Sequence, residues 1–96
     1  MRKKNTQSLR DVLKDYIQEN RLENKLAEID LVHSWERILG KTVARYTKNI
    51  YIHNRILFVE TSSPLVRNEL MMIREEIRKR LNEEAGRDVI DKIHLS

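Results

Sequence analysis

Between Lys48 and Thr61 the hydrophobic period changes, and this change constrains the fold more than any other feature of the 96 residues. Ile50 and Ile52 alternate with Asn49, Tyr51 and His53. Asn54-Arg55 follows, and then Ile56-Leu57-Phe58-Val59-Glu60-Thr61. A period of two marks strands, because successive side chains leave opposite faces of a sheet. Asparagine tolerates positive φ, so Asn54-Arg55 predicts a two-residue hairpin turn. That turn sets the pairing. Ile52 faces Leu57 and Ile50 faces Val59 on one side, while Tyr51 faces Phe58 and His53 faces Ile56 on the other. A slip of one residue would exchange the two faces.

The flanks are helical. Residues 1–7 read as a flexible basic N-terminal arm, and residues 8–96 as a single domain. Ser8 is placed to cap a first helix, in which Leu9, Val12, Leu13, Tyr16 and Ile17 recur at helical spacing. Leu22, Leu26 and Ile29 predict a second, short helix. Asp30 is expected to cap a third, with Leu31, Val32, Trp35, Ile38 and Leu39 on one face and Gly40 as a left-handed C-terminal cap. Past the hairpin, Ser63-Pro64 is a helix start, with serine as cap and proline as first helical residue. Val66, Leu70, Ile73, Ile77 and Leu81 then form one core-facing stripe, which Gly86 terminates. Val89-Ile90, Ile93 and Leu95 predict a closing strand. The expected class is α+β, in the order α-α-α-β-β-α-β, with a small three-stranded mixed sheet and helices packed on one face.

Composition narrows the chemistry. Cysteine is absent, which excludes disulfides, thiolate catalysis and cysteine-based zinc sites and fits a cytoplasmic protein. No apolar run approaches the roughly 20 residues of a membrane span. No apolar segment follows Met1-Arg2-Lys3-Lys4, so neither a secretory signal nor a membrane partner is expected. Net charge is +4, and residues 64–96 are balanced, so the excess lies in the first two thirds. It implies a weak attraction to phosphate backbones. A solvated mixed-charge surface accounts for it as well.

Gly40-Lys41-Thr42 invites comparison with a phosphate-binding loop. That loop needs a first glycine five residues before the second, and Trp35 occupies the position. The preceding segment also reads as helix rather than strand, so nucleotide hydrolysis is not expected. His33, His53 and His94 lack metal-ligand spacing. Glu75-Glu76 and Glu83-Glu84 read as solvated helix face, with Lys79 and Arg80 as partners one turn away. No serine has a nucleophile context. The sequence therefore predicts no enzyme, no cofactor, no metal and no small-molecule substrate.

Three groups of residues are open to a functional reading. Trp35 is either a core anchor or an exposed interface hot spot; the helical face it shares with Val32, Ile38 and Leu39 favours the core. Leu65 and Met72 fall beside the Val66–Leu81 stripe, either as a widened core face or as a partner patch. Tyr51, Phe58, His53 and His94 share the sheet face opposite the expected helices. They are either ordinary cross-strand pairs or a stacking platform for unpaired bases, with Lys48, Arg55 and Lys92 supplying charge.

The order of these features resembles one known family. A helix bearing Trp35 runs into Ile38-Leu39-Gly40, then Val43-Ala44 and Thr47. The Ile56-Leu57-Phe58-Val59 strand follows, then Thr61-Ser62-Ser63, a helix with Glu69-Leu70 and Leu81-Asn82, and a closing Ile90–Ile93 segment. This is similar to the DciA family over roughly residues 7–96. Two positions depart from its usual pattern: Asn54-Arg55 stands for an Asp-Gly turn, and Pro64-Leu65 for an aromatic after the paired serines. The resemblance implies a KH-like domain and a non-enzymatic, nucleic-acid-binding adaptor of the bacterial replicative DNA helicase (DnaB type), acting in replication initiation. KH domains clamp nucleic-acid backbones with a G-x-x-G loop. None is present here, so that mode of RNA binding does not carry over. Candidate phosphate contacts are Lys41, Arg45 and Lys48 at the helix-to-hairpin junction, Arg55, and Arg2, Lys3 and Lys4 in the arm. Single- or double-stranded DNA is the expected ligand. The alternatives are an RNA-binding module using the open sheet face, and a protein–protein interaction domain without nucleic acid that uses Leu65 and Met72.

Overall fold

The computed structural model describes residues 21–96. The expected first helix at Ser8–Ile17 and the arm with Arg2, Lys3 and Lys4 lie outside the described residues. Helix α1 spans Arg21–Leu39 and α2 spans Lys41–Arg45. Strands β1 (Thr47–His53) and β2 (Ile56–Thr61) follow, then α3 (Pro64–Met72), α4 (Arg74–Ala85) and β3 (Lys92–Leu95). The class is α+β, as expected.

The hairpin forms in the expected register. Ile50 pairs with Val59, Tyr51 with Phe58, Ile52 with Leu57 and His53 with Ile56. Asn54 and Arg55 have φ of 51° and 64°. Two consecutive positive φ values make a primed turn, whose twist matches that of the flanking strands. Strand β2 is central. It pairs antiparallel with β1 and parallel with β3. Parallel neighbours need a crossover connection, and α3 with α4 supplies it.

The helical boundaries differ from expectation at two places. Asp30 does not cap a helix; it sits exposed inside α1, which runs unbroken through both expected helices. Nothing between Ile29 and Leu31 forces a stop, and burial of Leu31 and Trp35 on the same helix favours continuity. Conversely, the single helix expected after Ser63 is two. Ile73 leaves the helix at φ −117°, ψ 20°. Its N–H donates to the Leu70 carbonyl, and its own carbonyl accepts from Ile77. Tertiary packing accounts for the break. Helix α3 lies against β2 and β3, whereas α4 lies against α1 and β3, so one straight axis does not serve both. Ile73 is thereby 42% exposed rather than part of the core stripe.

The helix start at Ser63 and the helix end at Gly86 follow their sequence signals. Ser63 Oγ accepts from the Val66 N–H with Pro64 in the first turn. Gly86 is left-handed at φ 79°, and Arg87 N–H reaches the Asn82 carbonyl while Gly86 N–H reaches that of Glu83. This pair of bonds satisfies carbonyls that the last turn would otherwise leave free. Gly40 also has positive φ, but at φ 94°, ψ 165° it is not the expected left-handed cap. That region is open essentially to glycine alone. It lets the chain leave α1 and enter α2 within one residue.

One face of the sheet builds the core. Leu57, Val59, Ile93 and Leu95 meet Leu31 and Trp35 of α1, Leu70 of α3, and Ile77 and Leu81 of α4. Val89 and Ile90 are buried just ahead of β3 rather than inside it. Trp35 is 3% exposed, so it is a core anchor. Its Nε1–H donates to Thr47 Oγ1 at 3.0 Å, and that hydroxyl donates to the Val43 carbonyl at 2.8 Å. One side chain thus ties the end of α1 to α2 and the start of β1.

The second polar tie is Asn82, 5% exposed on α4. Its Oδ1 accepts from the N–H groups of Val89 (2.9 Å) and Ile90 (3.1 Å), and its Nδ2 donates to the Ile90 carbonyl at 2.9 Å. The amide thereby satisfies the irregular backbone that leads into β3. Among the described residues, every buried side-chain nitrogen and oxygen has a hydrogen-bond partner.

Candidate nucleic-acid interface

The sheet alternation that buries Leu57 and Val59 turns Ile56, Phe58 and Glu60 to the opposite face. Tyr51 on β1 and His94 on β3 flank Phe58 in register. The Tyr51 and Phe58 rings stack at 5.0 Å and 11°. Phe58 and His94 lie 5.5 Å apart at 54°. An aromatic row therefore crosses all three strands. Phe58 is half-buried at its centre, while Tyr51, on the edge strand, is 49% exposed. His53 and Lys92 flank Ile56 in the neighbouring row and are exposed. Such a row offers π surface on which unpaired bases can stack.

The candidate cations are distributed unevenly. Lys41 and Arg45 are exposed on α2. Lys48 lies at the irregularity between Thr47 and Asn49, which brings its Nζ to 3.9 Å from Glu60. Both groups are exposed, so this pairing is weak and leaves the lysine available. Arg55, also expected as a phosphate contact, is held in an exposed ion pair. Its Nε and Nη2 donate to the two oxygens of Asp91, at 3.0 and 2.8 Å, and its Nη1 donates to the Asp88 carbonyl. The hairpin turn is thereby clamped to the segment ahead of β3. The hydrogen bonds from Arg55 hold the Asp91 carboxyl below the usual carboxylate range. The glutamate pairing on α4 also differs from expectation. Glu75 pairs with Arg78 rather than with Lys79, and the hydrogen bonds from Arg78 hold the Glu75 carboxyl below its ordinary pKa.

A second surface lies at the α3–α4 elbow. Leu65 is 69% exposed and Met72 is 84% exposed. Seven residues apart, they share one helix face about 10 Å apart. Met71 and Ile73 are exposed beside Met72. Sequence reasoning placed Ile73 in the core, because no glycine or proline marks the break.

Among the described residues, no group of three histidine, cysteine, aspartate or glutamate side chains is placed to hold a metal ion. No helix among them is long and apolar enough to cross a membrane. Comparison with curated proteins finds no match. The family profile described as "Dna[CI] antecedent, DciA" matches residues 8–95, nearly the whole chain. The Trp35 helix, the hairpin, the Ser63-capped helix and the Asn82-anchored closing strand all fall within that span, and the chain belongs to the DciA family.

Proposed function

We propose that the protein is a non-enzymatic adaptor of the bacterial replicative helicase. It promotes helicase loading during replication initiation in the cytoplasm while holding single-stranded DNA on the open sheet face. The observation that carries this reading is the family match across residues 8–95. The Tyr51–Phe58–His94 row supports the nucleic-acid part. Bases stack on the row, and Lys48 and Lys92 draw the backbone towards it, with Lys41 and Arg45 as outlying contacts. Leu65 and Met72 at the α3–α4 elbow are the surface offered to the helicase.

Co-precipitation with the host's replicative helicase tests the first part. Enrichment is expected, and a Leu65→Ser/Met72→Ser variant reduces it; absence of enrichment with the unaltered chain overturns the adaptor reading. Fluorescence anisotropy with labelled single strands tests the second part. Stacking contributes about 1–3 kcal/mol per base, so Tyr51→Ala weakens binding roughly 5- to 150-fold. Affinity also falls with salt on a shallow slope, about −3 for four phosphate contacts on a single strand. The same aromatic row suits RNA, and a clear preference for RNA over DNA of the same sequence would favour the RNA-binding alternative. Binding unchanged by Tyr51→Ala and Phe58→Ala removes the sheet face from the mechanism.

A further inference from the structure

We infer that the open sheet face takes up one base at a defined place: an adenine of a single strand stacks on the free face of Tyr51 and is read by the side-chain amide of Asn49. The inference rests on the single-stranded DNA reading above and narrows it to a subsite. Strand β2 is central, so Tyr51 and His94 approach Phe58 from opposite sides. Tyr51 lies nearly parallel to Phe58, at 5.0 Å and 11°, and covers one face of that ring. His94 stands on the other side at 5.5 Å. Phe58 therefore has no face left for a base. His94 is tilted by 54°, so the parallel stack does not continue through it. Tyr51 differs from both. Phe58 covers one of its faces, and the other turns away from the sheet, past the edge strand β1. No strand lies beyond β1 among the described residues, and Tyr51 is half exposed.

A base on that face takes the place of the next ring in the row. The 5.0 Å between Tyr51 and Phe58 follows the spacing of neighbouring strands, and one further step of the same size leads to the base. Its plane then runs along β1, so its edges point towards the residues on either side of Tyr51. Side chains two apart share a sheet face, and those residues are Asn49 and His53, both exposed. The Asn49 amide holds one donor and one acceptor side by side. The N6 amino group and N7 of adenine match that pair, whereas the same edge of guanine presents two acceptors. A purine also offers more ring to Tyr51 than a pyrimidine does. Charge at this end of the row is nearly balanced. Lys48 lies 3.9 Å from Glu60, and Lys25, which lines the cleft between α1 and β1 beside Tyr51, lies 3.9 Å from Glu28. Stacking and the amide, rather than phosphate attraction, then set the selectivity.

Fluorescence anisotropy with labelled oligothymidine strands tests this on the full chain. One central adenine should raise affinity roughly 5- to 150-fold over thymine alone, the range of one bidentate base contact. Replacing that adenine by 7-deazaadenine, which lacks the N7 acceptor, removes the gain without any change to the protein. Asn49→Ala removes it as well, and adenine and 7-deazaadenine strands then bind equally. Tyr51→Ala weakens binding of every strand, while Tyr51→Phe keeps both the stack and the preference. A second adenine adds only about twofold, the factor for one extra binding position. Equal affinity for the thymine strand and the single-adenine strand overturns the inference and leaves the single-strand reading in place. So does a preference that survives Asn49→Ala or 7-deazaadenine. So does affinity that climbs steeply with each added adenine, which assigns several bases to the row. Absence of binding to all of these strands overturns the reading on which the inference rests.

Discussion

Replacing Asn82 isolates the contribution of one buried amide. Asn82→Ala removes both acceptor contacts to Val89 and Ile90 and the donor contact to the Ile90 carbonyl. Three backbone groups beside a packed core then lose their partner. An orphaned buried group costs about 1–3 kcal/mol, and partial entry of water relieves some of this, so the expected loss is about 3–5 kcal/mol. A domain of this size has a total of roughly 5–14 kcal/mol. The melting temperature should fall by roughly 4–8 °C per kcal/mol. Urea denaturation followed by circular dichroism measures the change as a lower midpoint at unchanged slope. Asn82→Leu separates hydrogen bonding from packing. Leucine restores the volume but satisfies none of the three groups, so it should cost about as much as alanine. If Asn82→Leu lies within about 1 kcal/mol of the unaltered protein, the hydrogen-bond reasoning is refuted and Asn82 is only a space filler.

Gly40→Ala should destabilise by about 1–3 kcal/mol through backbone strain alone. A Cβ at that position meets nothing within 4 Å, so no steric crowding adds to the cost in thermal denaturation. Trp35→Phe keeps most of the buried ring but removes the donor to Thr47, and a loss of about 1–2 kcal/mol is expected from the same measurement. The Arg55–Asp91 pair gives a sign for acid behaviour. The folded-state pKa of Asp91 is lowered, so the stability the pair contributes is fully present above the ordinary carboxylate range. It is lost as pH falls through the lowered value. The difference in unfolding midpoint between the unaltered chain and Asp91→Asn should therefore be constant at pH 5 and above and shrink below about pH 3. It should be small throughout, because both partners are exposed.

Local patterns were legible wherever a residue type and its immediate neighbours decide the backbone. The alternation around Asn54-Arg55 determined the hairpin, its register and the faces assigned to Tyr51 and Leu57, since a two-residue turn admits one pairing. Ser63-Pro64 and Gly86 determined where a helix starts and where one ends, through a side-chain acceptor and a left-handed backbone. The aromatic row was legible for the same reason: facing positions on paired strands follow from register.

Tertiary structure decided what depends on packing between distant segments. Ile73 carries the right spacing for the core stripe, but α3 and α4 follow different partners and the stripe breaks there, leaving Met72 and Ile73 at an exposed elbow. Asp30 has the chemistry of a cap, yet burial of Leu31 and Trp35 carries one helix through it. Arg55 reads as a free cation on a turn until the parallel docking of β3 brings Asp91 within hydrogen-bond reach. Asn82 shows no signal as a buried tie, because its partners are backbone groups of a loop whose path exists only once β3 is docked. In each case residues far apart in the chain compete for one surface, and periodicity does not encode which of them prevails.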